Sequence, residues 1–354
     1  MNVDLFDYVL PKKLISQKLI LPRDKCKLLV YDRDSKMVKH HVFSDIEKYL
    51  GDNDVLVLND TKVFPSRLIG EKETGGKLEV FLLNPINNDF SVNVKNRWNV
   101  LVNKKIMDKS KIVFKCKGRV LLSGVVKKDV DKIEILFDKS GRSLWKAIYM
   151  IGNMPIPPYI KSQKDQKHYQ TVYAKNVGSC AAPTAGFHFT ERLFKKLKSR
   201  GVKIEYITLN VGLGTFRTIK VDNVEDHQMD TEYLSVDKKV AERLTKYKKE
   251  GKNIVAVGTT VVRTLESIYD GKKFKSNISK TNIFIYPGYE FKAIDKFITN
   301  FHFPRSTPLM MVAAFVMHKL KDFNLSRDEV MRIYELAVKK KYMFYSFGES
   351  MLIL

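Results

Sequence analysis

The stretch DVLVLNDTKVFPSRL, residues 54–68, decides how this chain is organised. Its first part, residues 54–60, is short and nearly all apolar, which predicts a strand buried on both faces. The strand ends in Asn59, Asp60 and Thr61. Polar groups at the carboxyl end of a buried strand are where α/β folds bind ligands. The alternative is an ordinary turn in which Asn or Asp bonds its own backbone.

The pattern changes after this strand. Up to residue 148 the chain shows short strand-like runs, among them GKLEVFLL, SKIVFKCKG and DKIEILFD, separated by Gly, Asn, Asp and Lys. No amphipathic helix is evident there, and runs of this kind are typical of small barrels or sandwiches. We therefore predict a small all-β, barrel-like domain over residues 65–150.

Helix and strand signals alternate again beyond residue 151. TERLFKKLKSRG and DKKVAERLTKYKKEG predict helices that end at Gly201 and Gly251, while VKIEYITLNVG and NIVAVG predict strands. The expected fold class is α/β. A larger mixed α/β domain, residues 1–64 and 151–354, would carry the small all-β domain as an insertion.

The composition favours a polyanionic partner. The 354 residues include 63 Lys and Arg against 39 Asp and Glu, giving a net charge of +24. A scattered excess of this size predicts a broad basic face, with nucleic acid as the first candidate partner and an anionic membrane as the second. The simpler alternative is that the lysines only keep the protein in solution.

Cysteine usage points to a reducing compartment. Cys26, Cys116 and Cys180 lie far apart and form neither a metal-type pair nor a disulfide framework. The N-terminus lacks the apolar region of a signal peptide, and the longest apolar run, residues 309–317, is too short to cross a bilayer. We expect a cytoplasmic monomer without a membrane partner.

Two segments near predicted turns are rich in small and polar residues. One is GSCAAPTAGFHFT, residues 178–190, where Pro183 and Gly186 predict a tight loop. Thr190 would cap the helix that follows, and His188 would lie at the edge of a ligand site just before that helix. In NIVAVGTTVVRTLES, residues 253–267, a strand runs through a glycine into a helix. The start of that helix offers free N–H groups to a carboxylate or phosphate.

Another segment of this kind is ITNFHFPRSTPLMM, residues 298–311, which crowds polar side chains between aromatic ones. Each segment alone also fits a capped turn, and a single histidine is more often structural than catalytic. Together with residues 58–68 there are four such segments, which favours a ligand site. No G-x-G-x-x-G, G-x-x-x-x-G-K-[ST], H-E-x-x-H or C-x-x-C signature occurs, which disfavours an ordinary dehydrogenase or zinc hydrolase.

Taken together, the segments resemble the bacterial S-adenosylmethionine:tRNA ribosyltransferase-isomerase family of queuosine biosynthesis. The chain differs from the expected family pattern at Asn210 and Asp230, which stand where histidines are expected. The matching stretches run in order along nearly the whole chain: DVLVLNDTKVFPSRLIG, GGKLEVFLL, GNMPIPPYI, YQTVYAKNVGSCAAPTAGFHFT, TLNVGLGTFR, IVAVGTTVVRTLES, IFIYPGYEF, TNFHFPRSTPLMM and FYSFGESMLI.

The resemblance implies an α/β domain with an inserted β-barrel, and it implies a reaction. Such enzymes move the ribosyl unit of S-adenosylmethionine onto 7-aminomethyl-7-deazaguanine at the wobble position of tRNA. The sugar is rearranged into an epoxycyclopentane ring, adenine and methionine leave, and epoxyqueuosine remains in the tRNA. The implied partners are that tRNA and S-adenosylmethionine as co-substrate, and no metal is expected.

The chemistry of this reaction suggests catalytic residues. The sulfonium makes the adjacent sugar carbon acidic, so a positioned base could begin the reaction. His188 is the first candidate for that base and Asp60 is the second. Departing adenine needs a proton or a hydrogen bond, for which His302 and His227 are the candidates.

The predicted substrate-binding residues come mostly from the same four segments. Thr259, Thr260 and Arg263 would hold the methionine carboxylate at a helix start. Aromatic faces would attract the sulfonium cation. The full set is Asn59, Thr61, Arg67, Thr184, Gly186, Phe187, Phe189, Gly258, Thr259, Thr260, Arg263, Glu266, Asn300, Phe301 and Arg305.

Two other functions compete with this one. An S-adenosylmethionine-dependent RNA methyltransferase would explain the basic charge, but it expects a glycine-rich loop after its first strand, which this sequence lacks. A non-catalytic RNA-binding protein would keep the charge, but it has no need for four polar clusters at strand ends.

Overall fold

A computed structural model describes the chain except for residues 131, 158, 161–167, 213–218 and 319–322, and except for the side chains of 277, 278 and 323–326. The end of the TLNVGLGTFR motif therefore lies outside the described residues. The chain divides into two compact units. The first comprises Met1–Thr61, Pro158–Ala174 and Pro183–Leu354, and the second comprises Lys62–Pro157 and Lys175–Ala182.

The structure contains these strands and α-helices, numbered in chain order. The strands are β1 (Lys27–Tyr31), β2 (Val38–Val42), β3 (Asp54–Asn59), β4 (Thr61–Val63), β5 (Arg67–Lys72), β6 (Lys77–Pro85), β7 (Arg97–Val102), β8 (Lys111–Cys116), β9 (Arg119–Lys128), β10 (Ile133–Phe137), β11 (Asn176–Ser179), β12 (Lys203–Asn210), β13 (Glu232–Val236), β14 (Asn253–Val257), β15 (Asn277–Thr281), β16 (Lys296–Asn300) and β17 (Ser350–Ile353). The helices are α1 (Gly141–Ile151), α2 (Glu191–Ser199), α3 (Lys238–Lys249), α4 (Thr259–Ile268), α5 (Thr307–Met317) and α6 (Phe323–Lys339).

The first unit is built on a nine-stranded mixed sheet in the order β15-β13-β12-β3-β14-β16-β17-β1-β2. Four neighbouring strands at its centre, β12, β3, β14 and β16, run parallel. Every residue of β3 is buried, as its apolar run predicts. Because successive side chains of a strand point to opposite faces, such a strand needs cover on both sides of the sheet.

Helices supply that cover. Leu56, Leu58 and Val257 belong to one buried cluster with Leu193 and Leu197 of α2. α4 packs against β3, β12 and β14. No helix in the described part of the chain combines the length and apolarity needed to span a bilayer.

The second unit contains a closed antiparallel barrel of six strands in the order β10-β7-β6-β5-β8-β9. Alternate residues of each strand are buried in its interior, including Leu68, Val80 and Trp98. A β-carbon on Gly70 would lie 2.5 Å from the Ile112 side chain, so this strand needs a glycine where the interior is tightest. The α/β fold class with a small β-barrel part is thereby confirmed, while the predicted boundaries at 65 and 150 stay predictions. The expectation of no amphipathic helix up to residue 148 is wrong, because α1 lies in the second unit and buries Leu144, Ala147 and Ile148, which are spaced as on one helix face.

We expect Gly152→Ala to destabilise the second unit. A β-carbon there would collide with the carbonyl oxygen of Pro65 and lie 2.6 Å from that of Ile148, and backbone atoms move only at a cost. The free energy of unfolding should fall by about 1–3 kcal/mol. Urea titration followed by tryptophan fluorescence measures this, because both tryptophans, Trp98 and Trp145, lie in this unit.

The matched control for this experiment is Gly76→Ala. No atom lies within 4 Å of a β-carbon at Gly76, and its backbone needs no left-handed conformation. Its urea midpoint should stay close to that of the unchanged protein, within about 0.5 kcal/mol in free energy. Equal midpoints for the two variants would contradict the packing argument at Gly152.

Candidate active site at the carboxyl ends of the parallel strands

The four parallel strands of the first unit end at the same edge of the sheet. β3 ends at Asn59, β12 at Asn210 and β16 at Asn300, while β14 leads through Gly258 into α4. Gly258 has φ of 89°, a left-handed value that favours glycine at this strand-to-helix turn. The topology therefore gathers three of the four predicted polar segments at one edge.

Asn59 is buried at this edge and bonds three elements. Its amide NH₂ donates to the carbonyl of Leu209 at 3.0 Å and to the hydroxyl of Thr260 at 3.2 Å. Its amide oxygen accepts from the backbone N–H groups of Leu209 and Thr61, each at 3.1 Å. These four bonds use the full capacity of an asparagine amide, so Asn59 fixes the edge rather than offering free polar atoms.

Asp60 and Thr61 connect the same edge to β12. A carboxylate oxygen of Asp60 accepts from the hydroxyl of Thr208 at 2.7 Å, and the hydroxyl of Thr61 donates to the amide oxygen of Asn210 at 3.1 Å. Asn210, which replaces an expected histidine, therefore has a partner that its amide oxygen suits. Asp60 is buried, with about 8% of its surface exposed.

His188 lies in a single 3₁₀ turn, Thr184–His188, and both of its ring nitrogens have partners. Nε2 is 2.9 Å from the amide oxygen of Asn300, and the amide NH₂ of Asn300 donates to the carbonyl of Tyr345, which fixes the orientation of that amide. Nε2 must therefore carry the proton. Nδ1 is left as the acceptor for the thiol of Cys26 at 3.0 Å.

Burial keeps His188 uncharged. It lowers the pKa of the imidazole from 6.5 to about 4, although the bond to Asn300 opposes the shift. The basic nitrogen of this neutral ring faces Cys26, whose thiol pKa is raised by burial. Gly186 in the same turn packs against the hydroxyl of Tyr173, which leaves no room for a side chain.

Burial also lowers the pKa of the other two candidate histidines. Burial lowers the pKa of His302 to about 3, and its Nε2 lies 2.9 Å from the hydroxyl of Thr299. Burial likewise lowers the pKa of His227, while the nearby charge of Asp230 opposes this shift. The ring of His227 packs edge-on against the ring of Phe284, with the ring centroids 5.1 Å apart.

Arg263 is a buried charged side chain of the first unit with one N–H group that has no acceptor among the described residues. Only 6% of its surface is exposed, and its Nη1 forms an ion pair with Glu232 while Nε donates to the carbonyl of Ile283. Its Nη2 is buried and has no hydrogen-bond partner in the described structure. A buried guanidinium N–H without an acceptor is costly, so the group points to an anionic ligand.

A pocket lies beside Arg263. Thr259 and Thr260 at the start of α4 and Thr307 at the start of α5 supply its polar wall, and helix starts favour anions. Its remaining lining is apolar and includes two methionines, which suit an aliphatic or thioether ligand. These side chains are Met229, Ile283, Phe284, Ile285, Pro308 and Met311.

The predicted aromatic residues lie in the core of the first unit and offer no open ring face. Phe187, Phe189 and Phe301 are fully or almost fully buried in the core of the first unit. Phe303 and Tyr345 are only partly buried and lie against each other with ring centroids 3.9 Å apart. Tyr345 has φ of 76°, a value rarely adopted by a bulky residue, and sequence patterns give no signal for such a position.

Three further predicted residues bond to other parts of the structure. Glu266 accepts from the backbone N–H groups of Lys292 and Ala293, and Arg305 pairs with Asp4. Arg67 belongs to the second unit, where it pairs with Glu79. Among the residues that the structure describes, no three His, Cys, Asp or Glu side chains group as metal ligands would.

Sequence reasoning left two partners of the candidate residues out of the site. Cys26 carries no motif, and its contact with His188 joins positions 162 residues apart. Glu232 ends the stretch HQMDTE, residues 227–232, but only its ion pair with Arg263 of α4 in the folded chain shows that it neutralises that arginine. The sequence did offer one signal for Glu232, because an acidic residue at the start of an otherwise apolar strand needs a partner.

Polar side chains at parallel strand ends, beside a buried arginine with an unused N–H, define a ligand-binding α/β domain of the kind found in enzymes. Residues 3–353 match the family described as queuosine biosynthesis protein. The chain therefore belongs to that family, and the resemblance drawn from its motifs is confirmed.

Individual relatives agree with this assignment. The chain is 46% identical over 362 residues to the S-adenosylmethionine:tRNA ribosyltransferase-isomerase of Halothermothrix orenii, and 44% identical over 358 residues to that of a Sulfurihydrogenibium species. Each comparison covers 100% of both proteins. The crystal structure of S-adenosylmethionine tRNA ribosyltransferase from Thermotoga maritima is 33% identical, covers 99% of this chain and 100% of its own, and gives a TM-score of 0.55.

The buried histidine predicts a pH dependence of stability. Because its folded pKa is lowered from 6.5 to about 4, the unfolded chain binds a proton at His188 in this interval and the folded chain does not. Stability should therefore be fully present above about pH 6.5 and fall towards pH 4, with a slope of up to about 1.4 kcal/mol per pH unit from this group.

His188→Gln removes this titration while keeping an amide that can bond Asn300. Free energies of unfolding measured from pH 4.5 to 7 should give a flatter profile for the variant than for the unchanged protein. The carboxylates titrate in both proteins, so the difference between the profiles isolates the histidine. Parallel profiles would contradict the assignment of a neutral buried ring.

Proposed function

We propose that this protein transfers the ribosyl unit of S-adenosylmethionine to 7-aminomethyl-7-deazaguanine at the tRNA wobble position and isomerises it to give epoxyqueuosine. Adenine and methionine are the released products. The observation that carries the proposal is the match to relatives of this name at 44–46% identity over the full length of both chains. We further propose that it acts as a cytoplasmic monomer without a metal.

The pocket beside Arg263 would receive the methionine end of S-adenosylmethionine. The α-carboxylate would accept from Nη2 and from the N–H groups at the start of α4, supplying the acceptor that Nη2 lacks. The apolar wall, including Met311 and Phe284, would cover the aliphatic chain and the sulfonium methyl. Thr259 and Thr260 would orient the carboxylate.

His188 and Asp60 remain the proposed candidates for the base that removes the proton beside the sulfonium. A neutral imidazole can accept a proton, but its Nδ1 faces Cys26, so the thiol must yield that position to substrate or relay the proton. Asp60 lies at the same strand edge. His302 and His227 are the proposed donors to the departing adenine.

One assay tests the overall reaction. The protein is incubated with labelled S-adenosylmethionine and tRNA carrying the modified base, and the small products are separated. Release of adenine and methionine, with the label of the ribose in tRNA, is expected. S-adenosylhomocysteine would instead show methyl transfer, and the absence of turnover would leave an RNA-binding protein.

We expect His188→Ala to abolish turnover while the variant still binds tRNA. Adenine release under single-turnover conditions measures the first property, and a filter-binding titration measures the second. His40→Ala, on the edge strand β2, is the control and should keep its activity. Unchanged turnover in the His188 variant would limit this residue to a structural role.

Arg263→Lys should weaken S-adenosylmethionine binding about ten- to hundredfold. The substitution keeps the positive charge beside Glu232 but removes the forked N–H geometry, and a charged hydrogen bond contributes about 1.5–3 kcal/mol. Decarboxylated S-adenosylmethionine provides the matched control, because it lacks the proposed partner of Nη2. The variant should bind this analogue as well as the unchanged protein does, and equal losses for both ligands would contradict a carboxylate contact.

A further inference from the structure

Three loops meet at one end of the barrel in the second unit. The strands alternate in direction around the barrel, so the β5–β6, β7–β8 and β9–β10 connections all fall at the same end. Their described residues are 73–76, 103–110, 129–130 and 132. We call this the three-loop end. α1 begins at the opposite end, where the N–H of Gly141 donates to the carbonyl of Val94.

The three-loop end is basic. In the sequence, its loops with two residues of each adjoining strand end, 71–78, 101–112 and 127–134, carry nine lysines against six acids, Glu71, Glu73, Asp108, Asp129, Asp131 and Glu134. Eight of these lysines are exposed and Lys72 is half-buried. The nine are Lys72, Lys77, Lys104, Lys105, Lys109, Lys111, Lys127, Lys128 and Lys132.

Four of these acids have partners other than the nine lysines: Asp108 and Asp129 bond backbone N–H groups, and Glu71 and Glu134 pair with Lys115 and Arg97. A carboxylate oxygen of Asp108 accepts from the N–H of Lys128, and one of Asp129 accepts from the N–H of Val130. Within the described ranges none of the nine lysines forms an ion pair, whereas Lys115 further along β8 pairs with Glu71. The positive charge of the three-loop end is therefore available to a partner.

The loop tips also expose two apolar side chains. Met107 is 77% exposed and Val130 is 93% exposed, while no aromatic residue occurs in the three loops. Protein segments that bind membranes usually insert aromatic or long apolar side chains as a continuous face. Isolated apolar tips among many lysines fit the backbone of a nucleic acid better, where phosphates meet the ammonium groups and sugars meet the tips.

We propose that the three-loop end binds the phosphate backbone of the tRNA substrate. The inference rests on the proposed function for the identity of the RNA, but its surface is defined by the barrel alone. Contacts of this type are independent of base sequence and release counterions, so they add affinity without reading the modified base. Recognition of that base would belong to the first unit.

The test compares two triple variants of equal charge. Lys104→Ala, Lys105→Ala and Lys127→Ala together remove three charges from the three-loop end. Lys238→Ala, Lys239→Ala and Lys249→Ala together remove three exposed charges from α3 of the first unit. Binding of unmodified tRNA is titrated between about 50 and 200 mM salt, and tryptophan fluorescence verifies that the barrel is folded in both proteins.

The slope of log affinity against log salt should become shallower by about 2 to 3 in the barrel variant, since each lost phosphate contact contributes roughly 0.7 to 0.9. The α3 variant should keep the slope of the unchanged protein. Equal slopes for the two variants would overturn the proposal. Loss of binding to phosphatidylserine vesicles, with RNA binding unchanged, would overturn it in favour of a membrane surface.

The outcome is separable from that of the proposed reaction. Unmodified tRNA is bound without being turned over, so a shallower slope in the barrel variant supports the surface even if adenine is never released. Conversely, full adenine release with an unchanged slope would sustain the reaction and remove the three-loop end from RNA binding.

Discussion

The amide of Asn59 is the contact on which the site edge depends. It donates to Leu209 and Thr260 and accepts from Leu209 and Thr61, so it joins β12, α4 and the start of β4 through one side chain. An aspartate would turn an oxygen towards the carbonyl of Leu209, and an apolar residue would leave buried backbone groups unpaired. These bonds also position Asp60 and Asn210, because Asp60 directly follows Asn59 and Asn210 directly follows Leu209.

A second constraint is the charge of Arg263. A buried guanidinium needs a counter-ion, and Glu232 supplies it, since a lone buried charge would be strongly destabilising. The carbonyl of Ile283 takes a further N–H, and the remaining Nη2 is held in place without an acceptor. An arginine positioned in this way loses little conformational freedom when a ligand arrives, which favours tight binding of a small anionic group.

Local sequence patterns predicted the elements of this structure better than the partners of individual side chains. The apolar run of β3 and the short alternating runs of the barrel are local, because period and burial are read along one strand. The pairing of His188 with Cys26 and Asn300 joins segments that are more than a hundred residues apart. A pattern read along one segment does not show which distant segment it contacts. For this reason the sequence wrongly indicated that the ring of Phe187 is open to a ligand, whereas the ring is buried in the core.

The net charge of +24 and the neutrality of the strand-end site serve different requirements of the proposed reaction. tRNA is a polyanion and favours a basic surface, but S-adenosylmethionine carries a sulfonium cation that a nearby unpaired positive charge would repel. Burial lowers the pKa of His188 and of His302 far enough to keep both uncharged at neutral pH. Glu232 offsets the positive charge of Arg263. The N–H groups of Arg263 can therefore bind a carboxylate without repelling the sulfonium of the same ligand. The basic surface can therefore attract the RNA, while the uncharged strand-end site can bind the cationic co-substrate.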